Sequence, residues 1–203
     1  TDSLRHRGPD AAGSWTDPQA GIALGHRRLS ILDLSPAGAQ PMESACGRLV
    51  VAFNGEIYDF AAIRGALEDE GRAPAWRGRS DTEVLLAAIA AWGLDAALAR
   101  CHGMFALALW DRETRRLSLA RDVAGEKPLH AAAIGGLVLF GSELKALRAH
   151  PAMTDAVDRD SVADCLRLGY VPAPRTLWRD ARKILPGEIE LADSPCIRCG
   201  QCS

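Results

Sequence analysis

The chain has 203 residues, of which 48% are hydrophobic and 25% charged, as is typical of a globular domain with a substantial buried core. Its 24 Lys and Arg residues nearly balance its 26 Asp and Glu residues, and the formal charge of −2 argues against a nucleic-acid-binding or polybasic membrane-surface protein. The longest nearly unbroken apolar stretch, residues 84–94, is about half of what a membrane span needs, and no leader pattern opens the chain, so we expect a cytoplasmic protein.

Two stretches in the first third of the chain are rich in aliphatic residues. Both are bounded by Gly, Pro, Asp and Ser, which predicts strands over residues 21–31 and 48–58. The turn-rich segment between them, residues 35–41, is expected to be a loop.

Two helices are predicted next. The first covers residues 60–70, with Asp59 as its N-cap and Gly71 as its stop. The Ser-Asp-Thr-Glu sequence at residues 80–83 is a capping box and predicts the start of a second helix over residues 84–92.

Antiparallel strands are predicted in the second half of the chain. They cover residues 104–110, 116–121, 129–134 and 137–140. Hairpin turns are expected at residues 111–114 and 135–136, and a last helix at residues 161–168. The first of these strands is apolar at every position and should be buried on both faces. The order of elements indicates a layered α+β fold.

The Asn54-Gly55-Glu56 sequence interrupts an apolar strand with polar residues. Taken alone it favours a β-turn or bulge, because Asn and Gly tolerate positive φ. The functional alternative is an oxyanion hole made by the Asn54 amide and the Gly55 N–H.

Charged residues beside this strand are weak signals singly. Arg28 could hold a free carboxylate in bidentate fashion, although an arginine on a strand is more often solvated. Asp81 at a helix start could hold an ammonium group, although such a residue more often complements the helix dipole.

Several short motifs occur in a fixed order along the chain. They are Arg7-Gly8-Pro9-Asp10, His26-Arg27-Arg28-Leu29-Ser30-Ile31, Gln40-Pro41-Met42, Asn54-Gly55-Glu56-Ile57-Tyr58, Ser80-Asp81-Thr82-Glu83, Gly103-Met104-Phe105-Ala106, Gly125-Glu126-Lys127-Pro128-Leu129, Ser142-Glu143-Leu144-Lys145 and Leu185-Pro186-Gly187. In this order they resemble the glutaminase domain of glutamine-hydrolysing asparagine synthetases, a class II glutamine amidotransferase. The resemblance runs to about residue 188. It implies the four-layer αββα sandwich of the N-terminal-nucleophile hydrolases, here incomplete at its N-terminus.

The resemblance also implies glutamine hydrolysis by an N-terminal cysteine, whose thiolate attacks the side-chain amide while its own α-amine acts as the base. Residue by residue, it assigns the oxyanion hole to Asn54 and Gly55, the glutamine α-carboxylate to Arg28, the α-ammonium to Glu56 and Asp81, and the pocket lining to the backbone of Leu29 and Ile31.

The sequence departs from the family at its nucleophile. In the family the cysteine lies well upstream of the Arg-Gly-Pro-Asp motif, which begins here at Arg7. Cys46, Cys101 and Cys165 do not lie in such a motif and are not substitutes. The chain as given is therefore expected not to hydrolyse glutamine.

The resemblance also divides the chain and assigns its partners. Residues 1–150 are expected to form the glutaminase domain, residues 151–188 a linker toward a synthetase domain of the same polypeptide, and residues 189–203 an atypical tail. We expect no cofactor in this domain, and ATP and magnesium only in the synthetase domain. Glutamine is the expected ligand and a homodimer is possible, whereas no nucleic-acid or membrane partner is expected.

The tail carries Cys196, Cys199 and Cys202, the first part of a ferredoxin-like pattern. A joined or frame-shifted end is the commoner explanation, and an incomplete iron–sulfur site is the alternative. Three further alternatives stay open at this stage: a sibling amidotransferase with another acceptor, a non-catalytic glutamine-binding module and an iron–sulfur electron carrier.

Overall fold

A computed structural model describes residues 1–29 and 35–193 of the chain. The strands in this part of the chain are β1 Ala11–Asp17, β2 Ile22–Arg28, β3 Met42–Glu43, β4 Leu49–Ile57, β5 Gly103–Asp111, β6 Arg116–Arg121, β7 His130–Ile134, β8 Leu137–Gly141, β9 Ala181–Lys183 and β10 Ile189–Asp193. The α-helices are α1 Phe60–Asp69, α2 Asp81–Trp92, α3 Leu94–Leu98, α4 Leu144–Arg148 and α5 Arg159–Leu168, and short 3-10 helices cover Asp2–Arg7 and Pro36–Gly38.

The strands form three antiparallel sheets. The largest has the order β10-β6-β5-β4-β3, and the smaller ones are β1-β2 and β8-β7-β9. In the centre of the large sheet, β4 and β5 pair over their whole length, from Leu49 opposite Asp111 to Ile57 opposite Gly103.

The apolar side chains of β5 alternate between two cores, and this alternation defines the layers. Phe105, Leu107 and Leu109 pack against α1 and α2, whereas Ala106 and Trp110 pack against the two smaller sheets. A third core lies between the β8-β7-β9 sheet and α4. The order helix, sheet, sheet, helix is the four-layer sandwich that the sequence predicts.

The predicted strand over residues 104–110 is buried on both faces, as expected: Trp110 has no exposed surface. The hairpin turns and the helix starting at the capping box are also found. The Ser80 hydroxyl accepts a hydrogen bond from the Glu83 N–H at 3.2 Å, and the Glu83 carboxylate accepts from the N–H groups of Arg77 and Gly78.

Asp59 is the N-cap residue of α1, as the sequence predicts, but its carboxylate makes no capping hydrogen bond to that helix. It accepts instead from the backbone N–H of His102 at 2.9 Å and lies 2.7 Å from the His102 ring. The tertiary contact takes the place of the local one, and it ties the start of α1 to the loop before β5.

The sheets use residues beyond the expected domain boundary at residue 150. The segment expected to be a linker contains α5 and β9, and β9 pairs with β7. The first residues of the expected tail form β10, which pairs with β6 from Ile189 to Asp193. Cys196, Cys199 and Cys202 lie outside the described residues.

A buried aspartate fixes the loop that follows β6. Asp122 is 1% exposed, and its carboxylate accepts from the N–H groups of Phe105, Glu126 and Lys127 at 2.9 to 3.2 Å. Burial alone would raise the pKa of Asp122, but these hydrogen bonds outweigh that effect and hold the pKa below its ordinary value. The carboxylate therefore stabilises the fold in its ionised form.

We predict that Asp122→Asn lowers the free energy of unfolding by about 2 kcal/mol at neutral pH, because an amide cannot accept all of these hydrogen bonds. A depressed pKa stabilises the protein above the ordinary pKa of aspartate, about 4, and this stability is lost as the pH falls through the folded-state pKa. The free energy of unfolding of the variant should therefore fall less steeply at acidic pH than that of the unmodified chain. Urea denaturation at several pH values measures both. Asp69→Asn is the control on an exposed position, and equal effects of the two changes would contradict the prediction.

Candidate functional site

A cavity of about 370 Å³ opens where β2, β4 and the start of α2 meet. This volume lies in the range of small-molecule sites. The sequence-predicted residues that line it are Arg28, Leu29, Asn54, Gly55, Glu56 and Asp81. Ile31 lies outside the described residues. The fold thus brings six of the seven candidates to one place from three elements.

The cavity lies against an open edge of β4. Strand β3 is two residues long and pairs only with Val50 and Val51. In an antiparallel strand the N–H and C=O groups of alternate residues point to the same edge. Phe53, Gly55 and Ile57 therefore turn their backbone groups away from β5 and toward the cavity side.

Side chains satisfy the backbone groups on both sides of Gly55. The Phe53 N–H donates to Oε1 of Gln40 at 2.6 Å, and the Phe53 carbonyl lies 3.0 Å from Nε2 of His26. The Ile57 N–H donates to Oδ2 of Asp81 at 2.9 Å. Within the described part of the chain, no side chain accepts from the Gly55 N–H between them, so this donor remains for a ligand.

His26 acts here as a neutral donor. Burial lowers the pKa of His26 to about 4, more than its hydrogen bond to Phe53 raises it, and the nearby Arg28 lowers it further. A neutral ring that faces a carbonyl must carry its proton on Nε2. The sequence motifs assign no role to His26 or to Gln40. Their functions depend on the short length of β3, which no local pattern shows.

Asn54 supplies a second donor beside Gly55. Its Nδ2 atom is buried and has no hydrogen-bond partner among the described residues. A buried amide without a partner costs about 1 to 3 kcal/mol, so an acceptor on a ligand in the cavity would stabilise Asn54. Asn54 and Gly55 lie inside β4, opposite Ala106 and Phe105, so the alternative interpretation as a turn is wrong.

Glycine is required at position 55 by the close approach of β5. A Cβ added there would lie 2.2 Å from the Met104 carbonyl oxygen and 2.7 Å from Cα of Phe105. A larger residue would have to push the two central strands of the sheet apart.

Charged groups of both signs lie around the two donors. Arg28 is half-buried, and its guanidinium donates to the Ser35 carbonyl at 3.1 Å. Asp81 is 5% exposed, and burial raises its pKa, although its hydrogen bonds with Ile57 and Thr82 oppose this shift. The negative charge of Glu56, which lies nearby, raises the pKa of Asp81 further.

The thiols that the structure describes do not line this cavity. They are Cys46, Cys101 and Cys165, and all are unpaired. Burial raises the pKa of Cys101 to about 12, so its thiol stays protonated at neutral pH. In the described ranges, no group of three or more His, Cys, Asp or Glu side chains is placed to hold a metal ion. No helix in these ranges is long and apolar enough to cross a membrane.

Comparison with known proteins gives matches over most of the chain. Residues 1–199 match the sequence family described as a glutamine amidotransferase domain. The glutamine-hydrolysing asparagine synthetase 3 of Bacillus subtilis (strain 168) is 36% identical over 191 residues, which cover 92% of this chain and 30% of that protein. The glutamine-hydrolysing asparagine synthetase 1 of the same organism is 38% identical over 183 residues, which cover 90% of this chain and 28% of that protein. The chain thus spans less than a third of the length of these relatives.

A solved structure shares the fold. The allosteric regulatory enzyme of purine biosynthesis matches 87% of this chain and 34% of its own, with a TM-score of 0.56 and 21% identity. This likeness supports the four-layer architecture and says nothing about the ligand.

We predict that Gly55→Ala destabilises the protein by about 1 to 3 kcal/mol, because the added methyl group collides with the backbone of β5. Gly65→Ala is the matched control, since a Cβ at this position in α1 has no neighbour within 4 Å. It should stabilise the protein by about 0.5 to 1 kcal/mol, as alanine does in a helix interior. Urea denaturation measures both, and a harmless Gly55→Ala would contradict the close approach of the two strands.

Proposed function

The chain belongs to the glutamine amidotransferase domain family, and from this premise we propose that the cavity binds L-glutamine and that the domain supplies ammonia within a longer glutamine-hydrolysing asparagine synthetase. One observation supports the proposal: Nδ2 of Asn54 and the N–H of Gly55 are neighbouring donors, and neither has a hydrogen-bond acceptor among the residues that the structure describes. Two adjacent neutral donors without an acceptor are suited to a carbonyl oxygen that becomes negatively charged during the reaction.

The charges of the cavity suit the other end of glutamine. An amino acid carries a carboxylate and an ammonium group at a fixed separation. Arg28 is the proposed partner of the carboxylate, because a guanidinium can donate two parallel hydrogen bonds. Glu56 and Asp81 are the proposed partners of the ammonium group. Held at this end, the substrate presents its side-chain amide to the two donors.

On this proposal the described residues bind the substrate and stabilise the oxyanion, and the nucleophile is a separate group. In the proposed reaction a thiolate attacks the amide carbon, the C–N bond breaks, ammonia leaves and water releases glutamate. We propose that Cys46, Cys101 and Cys165 do not act as this nucleophile, because none of them reaches the cavity. On this proposal the 203-residue chain binds glutamine without hydrolysing it.

The activity of the longer protein is inferred from its relatives. Two glutamine-hydrolysing asparagine synthetases cover this chain at 36% and 38% identity. We propose that a synthetase domain of the same polypeptide uses ATP and magnesium to activate aspartate, and that the ammonia from glutamine then displaces AMP to give asparagine. The homodimer and the cytoplasmic location stay predictions for that protein.

We predict a division of roles in the full-length protein that carries this domain. Asn54→Ala should lower kcat of glutamine hydrolysis about 100- to 1,000-fold, because one oxyanion donor is lost. Arg28→Ala should mainly raise KM for glutamine, about tenfold or more, because a charge-assisted hydrogen bond to the substrate is lost. Steady-state glutaminase assays measure both values.

Synthesis from free ammonia is the internal control, since it bypasses the glutamine cavity. It should survive both substitutions. Equal losses of the glutamine-dependent and ammonia-dependent activities after Asn54→Ala would show that the oxyanion assignment is wrong. Arg167 is exposed on α5 and does not line the cavity, so Arg167→Ala removes a comparable charge and should change neither value.

A further inference from the structure

Gln40 connects three elements at the cavity. It precedes β3, and its half-buried side chain lines the cavity. Its Oε1 atom accepts from the Phe53 N–H in β4 at 2.6 Å, and its Nε2 atom donates to Oγ1 of Thr82 in α2 at 3.5 Å. Its backbone is closely packed as well, because a Cβ added at Gly13 in β1 would collide with the Gln40 carbonyl oxygen. The Gln40 amide is therefore held at both of its polar atoms.

The bond to Phe53 fixes the direction of the next hydrogen bonds. A backbone N–H can only donate, so the amide atom that faces it must be the oxygen, and Nε2 must face Thr82. The Thr82 hydroxyl oxygen accepts from Nε2, which leaves the hydroxyl proton for another acceptor. Oδ1 of Asp81 lies 3.4 Å from this hydroxyl and accepts that proton. Gln40 thus orients the Thr82 hydroxyl toward Asp81.

Asp81 receives further donors from the backbone. Its Oδ1 atom accepts from the Thr82 N–H at 2.8 Å, and its Oδ2 atom accepts from the Ile57 N–H at 2.9 Å. These hydrogen bonds form one chain, which runs in order through Phe53, Gln40, Thr82, Asp81 and Ile57. Both ends of the chain lie on β4, on either side of Gly55. Thr82 and Asp81 are each 5% exposed, so bulk water has little access to these bonds.

The surroundings of Asp81 oppose its negative charge. Burial raises the pKa of Asp81, and Glu56 on β4 raises it further, whereas the donors from Ile57 and Thr82 lower it. The other charged and titratable residues that line the cavity are Arg7, His26, Arg27, Arg28 and Lys127. Only an ionised carboxylate attracts an ammonium group by charge, so each donor to Asp81 favours the form that binds it.

We propose that Gln40 is a positioning residue for glutamine recognition: it directs the Thr82 hydroxyl to Asp81 and so holds the Asp81 carboxylate for the α-ammonium group of the substrate. The inference rests on the proposed function, in which Asp81 is a partner of that group. Its effect lies in the pH dependence of binding. Affinity for glutamine falls as the pH falls and Asp81 becomes protonated. Loss of the Thr82 donor raises the pKa of Asp81, and the affinity then falls at a higher pH.

The test measures the affinity of the 203-residue chain for L-glutamine by calorimetry, from neutral to acidic pH. The readout is the midpoint, defined as the pH at which half of the neutral-pH affinity is lost. Thr82→Val removes the hydroxyl with little change in shape and should raise the midpoint by about 0.5 to 1 pH unit, as expected for one hydrogen bond to a charged group. Thr82→Ser keeps a hydroxyl and should keep the midpoint.

Gln40→Glu tests the direction of the hydrogen bonds. The introduced carboxylate can still accept from the Phe53 N–H, but its second oxygen replaces the donor Nε2 and accepts the Thr82 hydroxyl proton in place of Asp81. The midpoint should rise at least as much as in Thr82→Val, since a negative charge is also added. Gln19→Glu is the matched control, because Gln19 is exposed and does not line the cavity, and it should leave the midpoint unchanged.

Two further measurements separate this role from a general effect on the fold. In a Thr82→Val background, Gln40→Glu should raise the midpoint less than it does in the unmodified chain, because the hydroxyl is already absent. Glutaramate, which is glutamine without its α-ammonium group, should show no shift of its midpoint in either variant. A melting temperature within a few degrees of that of the unmodified chain shows that the variants are folded.

The outcomes distinguish this inference from the function on which it rests. Glutamine binding with the same midpoint in Gln40→Glu, Thr82→Val and the unmodified chain overturns the role of Gln40 and leaves the proposed function standing. A loss of affinity that is equal at every pH shows a structural effect alone and overturns the role as well. Absence of glutamine binding by the unmodified chain contradicts the proposed function itself.

Discussion

The site depends on one interruption in hydrogen bonding, the early end of β3 beside β4. Backbone N–H and C=O groups need partners wherever water is excluded. Because β3 pairs only with Val50 and Val51, the rest of that edge of β4 needs partners from other elements. Gln40 and His26 form hydrogen bonds with the backbone of Phe53, and Asp81 accepts from the N–H of Ile57. Among the described residues, no side chain accepts from the Gly55 N–H between them. The candidate site is the place where this edge is still open.

Two buried carboxylates hold the central strands in position at this place. Asp81 accepts from the N–H of Ile57 in β4, and Asp122 accepts from the N–H of Phe105 in β5. Asp122 also fixes the loop that carries Lys127, while Asp81 begins α2 and lines the cavity. The same two carboxylates therefore stabilise the fold and help to position the charged groups of the site. Their removal should disturb stability and ligand binding together.

The sequence predicts the parts of the fold whose cause is local. Strands β4 and β5 follow from aliphatic runs, and α2 follows from its capping box. The sequence does not predict strand β1, because Ala11–Asp17 is mostly exposed and lacks an apolar alternation. The sequence places Asp59 correctly as the N-cap residue of α1, but it does not show that the Asp59 carboxylate bonds to His102, which is far away in the sequence.

The site residues likewise divide into those that local motifs identify and those whose contacts depend on the tertiary structure. Asn54, Gly55 and Arg28 could be named from motifs, and all three line the cavity. Gln40 and His26 belong to those motifs, but the motifs assign them no role. Their contacts with Phe53 depend on where β3 ends, which only the tertiary structure determines. The roles of Asn54, Gly55 and Arg28 in glutamine hydrolysis follow from the proposed function and from the family resemblance.

The most direct test of this account is amide hydrogen exchange, measured residue by residue by NMR with and without L-glutamine. The N–H groups of Phe53 and Ile57 should be protected in the free protein, since side chains accept from them, whereas the N–H of Gly55 should exchange quickly. Addition of L-glutamine should then slow the exchange of Gly55 selectively. Protection of Gly55 in the free protein, or glutamine binding that leaves its exchange unchanged, would contradict the account.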